Sequence, residues 1–153
     1  MVVTGATSGI GRVAAERIAA TGDTVLIAAR NTSKGEAARD AIRSATGNEN
    51  VHLVLADLGS SEEVRSLAAQ VREHTDSLDV LVNNAGLLVE KRELTADGHE
   101  RTLAVNHLAP FLLTHELLDL LRAAPAPRVV TTASTAHQFG EIDLDDLHWQ
   151  KRW

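Results

Sequence analysis

Five short apolar runs punctuate the chain: MVVT (1–4), TVLIAAR (24–30), VHLVLAD (51–57), LDVLVN (78–83) and RVVTTAS (128–134). They are near-continuous rather than alternating, so each reads as a strand buried on both faces. Stretches of helical character separate them. One runs from about Gly11 to Ala20, with Val13, Ala14 and Ile18 on one face and Gly22 as its stop; an Ala-rich one spans 33–46 and ends at Gly47. A third opens on a capping box, Ser60 with Glu63, and continues through Val64, Leu67, Ala68 and Val71. A long one is expected from about Asp97 to Ala123, closed by APAP at 124–127. Strands separated by helices require right-handed crossovers, hence an α/β fold with a doubly wound parallel sheet. The expected order is 3-2-1-4-5, with ligands at the carboxyl ends of the strands near the switch point.

Bulk composition narrows the function. The 153 residues suit a single domain, and 44% hydrophobic with 3% aromatic means a core of Ala, Val, Leu and Ile. Net charge is −6 without a basic block, which argues against nucleic acid as a partner. No apolar run nears the roughly 20 residues of a membrane helix. With no Cys, the chain fits a reducing compartment, and the expectation is a cytoplasmic protein.

The first turn carries the chemistry. TGATSGIGR (4–12) joins strand one to helix one, and Gly5, Gly9 and Gly11, with Ser8 and Ile10 between them, allow a tight turn and close approach of a pyrophosphate to the helix amino end. The spacing is G-x-x-x-G-x-G, not the common G-x-G-x-x-G. Strand two ends in Ala28, Ala29 and Arg30, where a dinucleotide site selective for NAD would carry an acidic residue; Arg30 offers a planar fork suited to a 2′-phosphate, which favours NADP(H) over NAD(H).

The glycine spacing, DL (57–58), NNAG (83–86), Asn106 in the long helix and Ser134 after strand five occur in an order that resembles the short-chain dehydrogenase/reductase family, whose fold is Rossmann-type. ARN–KGEAA (29–38), TADGHE–AVNHLAPFLLT (95–114) and STAH (134–137) resemble its retinol-dehydrogenase-like branch. The resemblance implies NAD(P)-linked redox chemistry on a small-molecule alcohol or carbonyl. It implies that Asp57 accepts from the adenine amino group beside the Leu58 backbone, and that Asn84, Ala85 and Gly86 pass close to the ribose. It further implies that Asn106 supports a proton-relay water and that Ser134 orients the substrate oxygen. Pro110 supports the first of these roles, since it has no N–H to donate to the Asn106 carbonyl four residues earlier.

The family's Tyr-x-x-x-Lys pair has no counterpart, for the chain contains no Tyr. At the family's shorter spacing Leu147 and Lys151 would fill the two places, and leucine cannot transfer a proton; His148 is a remote substitute. On the longer register of the retinol-dehydrogenase-like branch, the pair would follow Trp153. The expectation is therefore an amino-terminal portion of an oxidoreductase, lacking strands six and seven, with a homo-oligomer for the complete protein. The alternative is a non-catalytic nucleotide-binding module or pseudoenzyme.

Overall fold

The computed structural model describes residues 1–151; Arg152 and Trp153, which end the run IDLDDLHWQKRW, lie outside the described residues. Strands β1 (Val2–Thr4), β2 (Val25–Ala29), β3 (Val51–Leu55), β4 (Val80–Asn83) and β5 (Arg128–Thr131) form one sheet, all pairs parallel, in the order β3-β2-β1-β4-β5. The expected order is the observed one. Between the strands lie α1 (Gly9–Ala19), α2 (Thr32–Thr46), α3 (Ser61–Arg72) and a composite helical segment from Arg101 to Ala123.

Consecutive strand residues enter different cores, which is why the runs read as continuously apolar. Val2, Leu26, Ala28 and Leu81 pack with α3 and the composite segment through Val64, Leu67, Val71, Leu113 and Leu117. Val3, Val25, Ile27 and Val51 pack with Ala15, Ala19, Ala38 and Ile42 of α1 and α2 on the other face. Burying each large aliphatic side chain contributes about 1.5–3 kcal/mol, so these two layers hold the frame.

Four expectations need correction. The buried stripe of α1 is Gly11, Ala15 and Ala19, not Val13 and Ala14; Val13 is 51% exposed. Small residues at i, i+4 and i+8 let the helix axis approach the sheet closely. The capping box is half made: Ser60 accepts from the Glu63 amide, whereas the Glu63 carboxylate takes the Asp57 amide at 2.6 Å. The long helix starts at Arg101, capped by Glu100, because Gly98 adopts φ +80° and Leu94 bridges Glu100. It comprises α4 (Arg101–Leu103), a π turn (Ala104–Leu108), α5 (Ala109–Glu116) and α6 (Leu118–Ala123), broken at Leu117. Finally, β5 is exposed along its length, with Val129 and Val130 45% and 50% exposed, because among the described residues no element covers it beyond β4.

The edge strand β3 carries a titratable contact. The rings of His52 and His74 lie 4.7 Å apart. Burial first, then the charges of His74 and Arg43, hold the His52 pKa below its ordinary value. The unfolded chain therefore takes the His52 proton more readily than the folded one. The stability this contributes is present above about pH 6.5 and is lost as pH falls through that region. Thermal midpoints measured from pH 7.5 to 5 should fall for the wild type and fall less for His52→Gln; equal slopes would refute the assignment.

Candidate functional site

A cleft of about 670 Å³ opens at the carboxyl ends of β1, β2, β3 and β4. Gly5, Ser8, Gly9, Ile10, Gly11, Arg30, Asp57, Leu58, Asn84, Ala85 and Gly86 all line it. All eleven residues expected at the cofactor are thus brought together, although Gly5 and Gly86 are 81 residues apart in sequence. The volume lies within the range of small-molecule sites, roughly 300–1,000 Å³.

The glycines divide into two kinds. Gly5 has φ +66°, and a Cβ there would stand 2.8 Å from the Ala85 Cα; a Cβ on Gly11 would collide with Asn84 Nδ2 and the Gly5 carbonyl oxygen. These two close the β1–α1 turn onto the NNAG turn. Gly9 also has positive φ, +55°, but a Cβ there would meet only open space. Its backbone is what the cleft exposes. Ser8, the α1 N-cap, makes no side-chain capping bond, and the first turn carries no acidic residue. The amino end of α1 is therefore left to an external anion, and the glycine cradle fits a pyrophosphate.

Asn84 donates to the Thr4 carbonyl at 3.1 Å and the Gly5 carbonyl at 3.4 Å, and accepts from the Thr132 hydroxyl at 3.3 Å. Thr4 is the anchor that sequence reasoning missed: its hydroxyl oxygen accepts from the Asn84 and Ala85 amides, each at 3.0 Å. Its signal in the sequence is a hydroxyl residue ending an apolar strand directly before Gly5. Beyond the eleven expected residues, Thr7, Leu87, Val105 and Thr132 also line the cleft. Asn83 is structural, buried and donating to the Thr114 hydroxyl at 3.2 Å.

On the second wall, Arg30 is 61% exposed and its Nη1 lies 3.8 Å from Asp57 Oδ2. Asp57 is held by the Gly59 amide at 2.8 Å on its other oxygen. Its Oδ2 also lies 4.0 Å from Arg101 Nη2.

The two residues expected in chemistry do not line this cleft. Asn106 sits in the π turn rather than in α-helix, so the simple four-residue argument from Pro110 does not describe its neighbourhood. Its side chain bonds the Leu87 backbone twice: it donates to the Leu87 carbonyl at 2.8 Å and accepts from the Leu87 amide at 2.9 Å. It thereby clamps the end of the NNAG loop at the cleft wall. Ser134 is exposed and caps a short 3₁₀ turn, Thr135–Phe139, accepting from the Ala136 amide at 3.1 Å. His137 Nδ1 contacts the Ser134 carbonyl. His148 is occupied elsewhere, accepting from the Glu100 amide at 3.2 Å and stacking on His99. Lys151 donates its amide to Asp146.

The family model described as short chain dehydrogenase matches residues 1–144. Human retinol dehydrogenase 13 is 42% identical over 152 residues, covering 99% of this chain and 46% of that protein. Human retinol dehydrogenase 12 is 40% identical over 153 residues, covering 100% of this chain and 48% of that protein. The chain thus spans about half the length of the curated relatives it matches. Among solved structures, an uncharacterised protein from Mycobacterium paratuberculosis superposes with TM-score 0.85 at 41% identity, over 99% of this chain and 52% of that one. A short chain dehydrogenase from Shigella flexneri solved with NADP superposes with TM-score 0.79 at 32% identity, over 96% of this chain and 63% of that one.

Proposed function

This chain belongs to the short-chain dehydrogenase family, and on that premise we propose that it is the nucleotide-binding domain of an NADP(H)-dependent oxidoreductase acting on an alcohol/carbonyl pair. The observation that carries the reading is the single cleft in which one helix amino end, free of carboxylates, meets Arg30, Asp57 and the NNAG turn. The bound cofactor would supply or accept hydride. The chain's own residues bind and orient it. Gly5, Ser8, Gly9, Ile10 and Gly11 receive the pyrophosphate against backbone N–H groups. Asp57 and Leu58 face the adenine, Asn84, Ala85 and Gly86 the ribose, and Arg30 the 2′-phosphate. Asn106 sets the Leu87 backbone at the cleft wall, and Ser134 would orient the substrate oxygen. With no tyrosine in its 153 residues, the chain supplies Asn106 and Ser134 but no phenolic proton donor. The retinol and polyprenol dehydrogenases among its relatives support a lipophilic alcohol as substrate class.

Fluorescence titration with NADPH and NADH tests the cofactor assignment. A bidentate guanidinium–phosphate contact is worth about 1.5–3 kcal/mol, so NADPH should bind at least tenfold more tightly. Arg30→Ala should remove most of that difference. Equal affinities, or tighter NADH binding, would overturn the NADP assignment.

A further inference from the structure

Arg30 does not stand alone at the cleft rim, and its nearest charged neighbour is of the wrong kind for a phosphate site. Asp57 Oδ2 lies 3.8 Å from Arg30 Nη1, so a carboxylate competes for the guanidinium that the 2′-phosphate would need. Two further carboxylates stand close by. Glu63 binds the Asp57 amide, and Glu93 Oε2 lies 3.8 Å from Arg101 Nε. Against these three negative groups the described residues bring a second cation, Arg101, whose Nη2 lies 4.0 Å from the same Asp57 oxygen that Arg30 contacts.

Arg101 opens the composite helical segment next to its cap Glu100, and its guanidinium is turned to the carboxylates of Asp57 and Glu93. Its side chain is only 26% exposed, which limits screening by solvent and salt.

We propose that Arg101 is a specificity-determining residue for the phosphorylated cofactor, acting through Asp57. By sharing the Asp57 carboxylate and taking up Glu93, it leaves Arg30 free to engage a 2′-phosphate. Without Arg101, Asp57, Glu63 and Glu93 would all oppose an added dianion, with Arg30 their sole counter-charge among the contacts described above. NADH shares the adenine contact with Asp57 but carries no 2′-phosphate, so it does not meet this opposition. The inference rests on the NADP(H) reading above and deepens it.

The test is a binding comparison on the full 153-residue chain, with Arg101→Met retaining the aliphatic stem and removing the charge. Arg101→Met should weaken NADPH binding about three- to tenfold and leave NADH within about twofold, as expected for a partly screened charge removed at a distance. Arg101→Lys should retain most of the NADPH affinity. Adding Asp57→Asn to Arg101→Met should restore the NADPH/NADH affinity ratio, because the carboxylate that Arg101 offsets is gone, while the altered adenine contact weakens both cofactors alike. The loss should shrink at 0.5 M salt. A merely structural Arg101 would weaken both cofactors alike and lower the melting temperature in step; that result, or no change in the NADPH/NADH ratio, overturns the proposal. Failure of the underlying reading is distinguishable, since the wild-type chain would then bind neither cofactor or prefer NADH, and both readings would fall together.

Discussion

Replacing Gly11 with alanine should lower the unfolding free energy by about 1–3 kcal/mol and weaken cofactor binding at least tenfold, although alanine is the better helix former. The gain in helix propensity is about 1 kcal/mol at most. Against it stands a Cβ driven into two groups that cannot both retreat. Asn84 Nδ2 could rotate away only by leaving the Thr4 and Gly5 carbonyls. The Gly5 oxygen is backbone in a residue already at φ +66°, so it moves only if the whole turn opens. Opening the turn separates the helix amino end from the NNAG wall, which is why binding should suffer together with stability. Gly9→Ala is the control. It meets no atom and bears only the cost of an alanine at φ +55°, about 1–2 kcal/mol, with no displacement of Asn84. Urea unfolding of both variants decides the matter. If Gly11→Ala is as stable as the wild type and binds as well, the tight closure of this turn is not what shapes the cleft.

That contrast shows what was legible in the sequence. Three glycines at a strand–helix turn are visible in the string, and so is the strand–helix alternation that implies a parallel sheet. Val64, Leu67, Ala68 and Val71 announce a helix face, and all four are buried. The sequence does not distinguish a glycine that avoids a collision from one that exposes backbone, because the colliding atoms include those of Asn84 and Ala85, far from Gly5 and Gly11 along the chain. The α1 face departs from the expected one for a related reason. Valine is the more hydrophobic residue, but close approach of helix to sheet favours Gly11, Ala15 and Ala19. The π turn at Ala104–Leu108 also leaves no periodic signal, since Pro110 alone predicts a kink rather than a change of register. Asn106 and Ser134 follow from the family resemblance alone, and their contacts here are with the Leu87 backbone and the Ala136 amide.

Thr4 tests whether the NNAG turn is held by backbone shape alone or by one side chain. Thr4→Val keeps the branched shape at the end of β1 and removes the oxygen that accepts the Asn84 and Ala85 amides. Thr4 is 1% exposed, so two N–H groups lose their partner at a site with little room for water. A buried donor left unpaired costs about 1–3 kcal/mol, and partial access to solvent on the cleft side reduces the sum, so about 2–3 kcal/mol is expected for the pair. Thr4→Ser retains the oxygen and deletes a methyl, for about 1 kcal/mol. NADPH affinity should follow the same ranking, wild type above Ser above Val, because Ala85 lines the cleft and shifts when its amide is freed. If Val and Ser variants proved equally stable, the hydroxyl would contribute nothing beyond its volume. The turn would then be fixed by Gly5 and Gly11 packing, and Asn84 rather than Thr4 would be the residue joining the two halves of the cleft.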